Sequence, residues 1–182
     1  MTPRRIVLVG FMGAGKTAVG RELAVALEWA FRDVDTAVEA RAAMPIHQIF
    51  REFGEGPFRE LEARVASELL ATPDAVIATG GGWACAPDRL EGLSPHSLSV
   101  WLRVSAREAV RRIRADEAVE RPMMEEGDPL TRARELLALR EPYYRKARWW
   151  VNAEEASPAD IAARIARHLK ESPDTPLREA QV

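Results

Sequence analysis

Residues 10–17, Gly10-Phe11-Met12-Gly13-Ala14-Gly15-Lys16-Thr17, satisfy the pattern G-x-x-x-x-G-K-[ST], which demands a strand before it and a helix after it. Both neighbours fit. Ile6, Val7, Leu8 and Val9 form an unbroken apolar run of the kind buried in a parallel sheet, and Val19, Leu23 and Leu27 recur every fourth residue along one helix face. Glycines allow the loop to curl until successive N–H groups and the helix N-terminus point at phosphate oxygens. Gly13, Ala14, Gly15, Lys16, Thr17 and Ala18 are therefore the expected nucleotide-phosphate segment. Lys16 has the reach for the outer phosphates, and Thr17 can offer its hydroxyl to Mg²⁺. An ordinary glycine turn is the alternative, and the strand-loop-helix context speaks against it.

The chain has 182 residues, 47% of them hydrophobic and 30% charged, which suits one soluble domain with a sizeable core. A net charge of -2 gives no general attraction for nucleic acid or an anionic membrane, so a metabolite is the expected partner. Cys85 is the sole cysteine and excludes an internal disulfide, while His47, His96 and His168 are too scattered to suggest a zinc site. A reducing cytoplasm is the expected compartment. The first strand follows residues 1–5 directly, leaving no room for a signal peptide, and no apolar run approaches membrane-spanning length.

Further strands are expected at residues 31–35, 75–79, 98–104 and 149–151, with helices near 36–42, 46–53, 58–71, 105–115, 130–147 and 158–170. This alternation indicates an α/β fold: a parallel sheet covered on both faces, with ligands gathered beyond the carboxyl ends of its strands. Residues 171–182 hold two prolines and little apolar content, and we expect a flexible tail there.

Three groups of residues fall at such strand ends. Asp33 and Asp35 are two apart after the second strand, so a regular strand would aim both carboxylates at one site. One can hold Mg²⁺ through water while the other accepts a hydrogen bond from an attacking hydroxyl. The competing reading is a helix cap. Gly80-Gly81-Gly82 follows the third strand, where free N–H groups can approach a small substrate; a plain strand exit is the alternative. Arg59, Arg121 and Arg140 each stand beside turn-forming or helix-ending residues, and guanidinium groups grip carboxylates and phosphoryl groups in two-pronged hydrogen bonds. Residues 115–128 include six acidic side chains and little periodicity, as in a flap that closes over a site, or in a passive surface loop.

The ordered set GFMGAGKT (10–17), DVDTAVE (33–39), IFREFGEGPFRELE (49–62), TGGG (79–82), RPMM (121–124) and LREPYY (139–144) resembles the shikimate kinases over nearly the whole chain. The resemblance implies a five-stranded parallel sheet of the P-loop, nucleoside-monophosphate-kinase-like type. It implies one domain over residues 1–170 with a mobile lid at about 112–128, and a cytoplasmic enzyme that passes the γ-phosphate of ATP to the 3-hydroxyl of shikimate. By motif, Lys16 would hold phosphates, Thr17 would bind Mg²⁺, and Asp33 would orient the metal's water. Asp35 would meet the acceptor hydroxyl. Arg59 and Arg140 would hold the substrate carboxylate, with the N–H groups of Gly80, Gly81 and Gly82 lining the hydroxyl side and Glu39 and Glu62 orienting Arg59. Arg121 would contact the transferring phosphoryl group, and Arg112 and Pro158, the latter in the loop before the last helix, would contact adenine.

Trp83 stands where the family usually has a small residue, commonly alanine; we expect its indole in the core or at the domain edge rather than in the substrate wall. Pro57, in the loop before Arg59, is a lesser oddity. The expected partners are ATP and a small hydroxylated carboxylate, with no nucleic acid or membrane, acting on a monomer. A gluconate kinase is the nearest rival, and a non-catalytic nucleotide-binding module is the rival from another class.

Overall fold

The computed structural model describes residues 3–115, 128–171 and 175–177. Five strands, β1 (Arg5–Val9), β2 (Ala30–Asp33), β3 (Ala75–Ala78), β4 (Ser97–Arg103) and β5 (Trp149–Asn152), form one parallel sheet in the order β2-β3-β1-β4-β5. Ile6, Val7, Leu8 and Val9 of the central strand are all 0% exposed, which is why that stretch reads as apolar without alternation. Seven described helices cover the two faces of the sheet: α1 (Lys16–Leu27), α2 (Val34–Ala42), α3 (Ile46–Phe53), α4 (Glu55–Leu70), α5 (Ala106–Ala115), α6 (Pro129–Tyr144) and α7 (Pro158–Glu171). Helix α1 packs on α7, α5 on α6, and α4 on both α2 and α3.

Register decides where the site falls. Leu8 of β1 and Asp33 of β2 both pair with Ala78 of β3. The phosphate loop after β1, the carboxylates after β2 and the glycines after β3 therefore leave the sheet at one level, along its carboxyl edge.

Three differences from the sequence reading bear on the site. Strand β2 stops at Asp33, whose carboxylate accepts from the Thr36 N–H at 3.2 Å and caps α2, so Asp35 sits in the first helical turn rather than on a strand. The strand-face argument for pairing the two carboxylates therefore fails, and the cap reading holds for Asp33. Helix α4 begins at Glu55 rather than residue 58. Gly54, at φ 82°, ends α3 and starts α4, and Pro57 falls in the first turn, where no N–H is needed. Trp83–Cys85 forms a single 3₁₀ turn straight after the glycine triplet.

At the sheet edge, the Trp150 N–H of β5 donates to the Leu177 carbonyl at 2.7 Å, and Thr175 O lies 2.9 Å from His168 Nε2. No described helix is long and apolar enough to cross a membrane.

Candidate active site

The phosphate loop takes its shape from glycines with positive φ, 75° at Gly13 and 84° at Gly15, the second forming the left-handed N-cap of α1. Ala14 is buried and its N–H closes the turn on Phe11 O at 3.2 Å. Lys16 opens α1, and its Nζ donates to the carbonyls of Gly10 at 2.8 Å and Phe11 at 3.0 Å, so the ammonium lies over the loop's own backbone. Ala18, in the first turn of α1, is exposed.

Thr17 and Asp33 meet directly. The hydroxyl donates to Asp33 Oδ2 at 2.7 Å while Oδ1 of the same carboxylate caps α2. One carboxylate thus caps α2 with one oxygen and holds the Thr17 hydroxyl with the other. Two hard oxygen donors at the mouth of the phosphate loop suit Mg²⁺, which takes few protein ligands and keeps several waters. Among the described residues, no cluster of three or more His, Cys, Asp or Glu side chains forms a protein-only cage for a metal.

The glycine triplet is closed in on three sides. A Cβ at Gly80 would fall 2.3 Å from Glu62 Oε1 and 2.8 Å from Asp35 Oδ1; at Gly81, 3.2 Å from the Met12 backbone nitrogen; at Gly82, 2.6 Å from Arg59 Nη2. None of the three has positive φ, so close approach, not backbone conformation, calls for glycine here. The turn is where Asp35, Glu62, Arg59 and the phosphate loop come together.

Arg59 projects from α4. Its Nη1 donates to Glu62 Oε2 at 2.8 Å, and Nε and Nη2 both reach Glu55 Oε1 at 3.2 Å. Burial opposes its charge, but Glu62 and Glu55 outweigh that and raise its pKa above the ordinary arginine value. Glu62 is 2% exposed and its Oε1 has no hydrogen-bond partner among the described residues. Glu39 does not share this work: its carboxylate accepts from the Ile46 N–H at 3.0 Å and caps α3. Glu55, which the sequence reading missed, stands in that place, four residues before Arg59 on the same helix.

Arg140 of α6 is 7% exposed, and its guanidinium carbon lies 5.9 Å from the Phe11 ring centroid. Its Nη1 is 3.7 Å from a Cβ placed on Gly81. Arg59 and Arg140 therefore reach adjacent residues of one glycine turn from two different helices, beside the phosphate loop.

Arg112 bridges α5 and the nucleotide end. Its Nε donates to Glu108 Oε1 at 2.7 Å, Nη2 to Ala153 O at 2.5 Å, and Nη1 to Gly13 O at 3.4 Å. Hydrogen bonds from Arg111, aided by Arg112, hold the Glu108 carboxyl at about 2. Pro158 is the first residue of α7, not part of the preceding loop, and Ser157 caps that helix by accepting from the Asp160 N–H at 3.1 Å. Arg121 and most of the expected lid at 112–128 lie outside the described residues.

Trp83 is 2% exposed and belongs to the hydrophobic core, with the Arg89 guanidinium carbon 5.3 Å from its ring centroid. Its indole is packing, as expected.

The sequence profile of the shikimate kinase family matches residues 12–170. The chain belongs to that family. It is 40% identical to a shikimate kinase of Moorella thermoacetica across 92% of this chain and 95% of that one. It is 42% identical to one of Nitrobacter winogradskyi across 79% of this chain, and the match spans 66% of that relative's length. Its fold superposes on a solved shikimate kinase from Acinetobacter baumannii, in complex with shikimate, with a TM-score of 0.87 at 34% identity, covering 95% of this chain and 96% of that one.

Proposed function

We propose that this chain is an ATP-dependent shikimate kinase, transferring the γ-phosphate to the 3-hydroxyl of shikimate. The observation that carries the reading is the convergence of Arg59 and Arg140 on Gly81 and Gly82 next to the phosphate loop. Two guanidinium groups on one turn suit a carboxylate, and the neighbouring loop suits a triphosphate.

In this mechanism Gly13 to Ala18 cradle the phosphates with backbone N–H groups, and Lys16 exchanges the Gly10 and Phe11 carbonyls for phosphate oxygens when nucleotide enters. Thr17 and Asp33 would hold Mg²⁺, Asp33 through water; the ion, when bound, neutralises charge on the phosphate oxygens. Arg59 and Arg140 fix the acceptor by its carboxylate, and the glycine N–H groups line its hydroxyl side. Asp35, which faces Gly80, accepts a hydrogen bond from the attacking hydroxyl and favours its attack on the terminal phosphorus. Arg121 stabilises the charge spread over the phosphoryl group in flight. Arg112 and Pro158 border the adenine at the other end. A single cysteine and the lack of a membrane-spanning helix among the described residues support a cytoplasmic setting.

The test is to incubate the purified chain with ATP, Mg²⁺ and an equimolar mixture of hydroxy acids that includes shikimate and gluconate. Mass spectrometry should find one added phosphoryl group on shikimate. Phosphorylated gluconate with untouched shikimate, or no product, contradicts the proposal.

A further inference from the structure

Helix α6 brings a second residue to the glycine turn. Tyr144 lies one turn beyond Arg140, is 0% exposed, and packs near Trp101 with ring centroids 5.9 Å apart. Its hydroxyl donates to the Gly81 carbonyl oxygen and lies against the Arg140 guanidinium and the Cys85 thiol. Burial raises its pKa far above the ordinary tyrosine value, so the group is a neutral O–H donor at any working pH.

The position of that bond has a geometric consequence. No peptide bond among the described residues is cis, and a planar trans peptide points its C=O and N–H in opposite directions. Drawing the Gly81 carbonyl onto buried Tyr144 therefore turns the Gly82 N–H away from the helix side, at the residue that Arg59 approaches most closely. A Cβ placed on Gly81 would meet both the Met12 nitrogen of the phosphate loop, at 3.2 Å, and Arg140 Nη1, at 3.7 Å. One hydroxyl thus touches both the glycine turn and the Arg140 guanidinium.

We propose that Tyr144 is a positioning residue for the acceptor carboxylate: its hydroxyl fixes the Gly81–Gly82 peptide plane and the Arg140 guanidinium relative to each other. The inference rests on the reading of this site as an acceptor-carboxylate clamp. It separates Tyr144 from an ordinary core aromatic, whose ring alone would matter.

Tyr144→Phe keeps the ring and removes only the hydroxyl. Calorimetric titration with shikimate should show affinity about 3- to 30-fold weaker, the range set by one lost hydrogen bond and a buried carbonyl left unpaired. Affinity for ADP·Mg²⁺ and kcat at saturating shikimate should each stay within about twofold. Trp101→Phe, which loosens the packing around the ring but leaves the hydroxyl, is the packing control. It should lower the melting temperature and leave shikimate affinity within about twofold. Unchanged shikimate affinity in Tyr144→Phe, equal weakening of both ligands, or an equal loss in Trp101→Phe overturns the proposal. The wild-type titration guards the underlying reading: a wild-type chain that does not bind shikimate sinks the clamp itself, whereas normal wild-type binding with an unaffected variant sinks only the role of Tyr144.

Discussion

Arg59 is held by Glu62 through a 2.8 Å ion pair whose carboxylate is itself 2% exposed, so the guanidinium is anchored to the core while one edge of it faces Gly82. An arginine fixed in this way meets an incoming anion with little further loss of side-chain freedom.

Arg59 and Arg140 should therefore act as one clamp. Losing one partner of a desolvated, hydrogen-bonded charge pair commonly costs about 2–5 kcal/mol, so Arg140→Ala should weaken shikimate binding by roughly thirtyfold or more. Lysine should rescue poorly, because a point charge does not reproduce the two-pronged geometry. In calorimetry the double mutant should lose less than the sum of the singles, and ADP·Mg²⁺ affinity should hardly change. Additive losses would separate the two arginines.

Lys16→Ala should abolish phosphoryl transfer in a protein that still folds. The ammonium lies on the Gly10 and Phe11 carbonyls at the loop, and Lys16 is not among the residues of the hydrophobic core. Activity and circular dichroism on one preparation check both halves, and wild-type turnover would remove the loop from the mechanism.

Arg121→Ala should lower kcat more than it raises the acceptor KM, since the residue is assigned to transition-state charge. One lost contact of this kind commonly costs on the order of 10²-fold or more in rate. A mutant with normal kcat and only weaker acceptor binding would take Arg121 out of the catalytic set.

Trp83→Ala should lower stability by roughly 3–5 kcal/mol, as expected for emptying a buried aromatic site. Turnover of the folded fraction should stay near wild type, because the indole packs in the core. Thermal melts and kinetics decide; a normal melting temperature with altered acceptor selectivity would return Trp83 to the pocket.

Glu108 gives a pH-dependent prediction. Its folded pKa of about 2 lies below the ordinary 4.5, so its contribution to stability is present above about 4.5 and is lost as pH falls through about 2. Glu108→Gln should therefore flatten the acid limb of the unfolding curve between those values. It should also raise the ATP KM, by loosening the Arg112 bridge to Gly13 and Ala153. An unchanged acid limb would deny the carboxylate this role.

The phosphate loop was legible in the sequence because its constraints are local: glycines, a lysine and a threonine at fixed spacing between a strand and a helix. The Asp33 and Asp35 pair was legible as a place, not as a geometry. The strand ends two residues earlier than the pattern suggested, because the Asp33 side chain starts the helix. Glu39 was misread because its carboxylate is taken by a backbone N–H seven residues on, a local cap that motif spacing does not reveal. Glu55 could have been found from its i, i+4 spacing to Arg59 had α4 been started at the right residue. The bond from Tyr144 to Gly81 left no such signal, since the two residues lie 63 positions apart. Tertiary packing alone brings the two together.

The most direct test of the account is the kcat/KM of the purified chain with shikimate and with gluconate, at saturating ATP and Mg²⁺, with Lys16→Ala run alongside to exclude a contaminating kinase. Shikimate should be turned over, that turnover should be lost in Lys16→Ala, and gluconate should be a much poorer acceptor. Equal or better use of gluconate, or shikimate turnover that survives in Lys16→Ala, would contradict it.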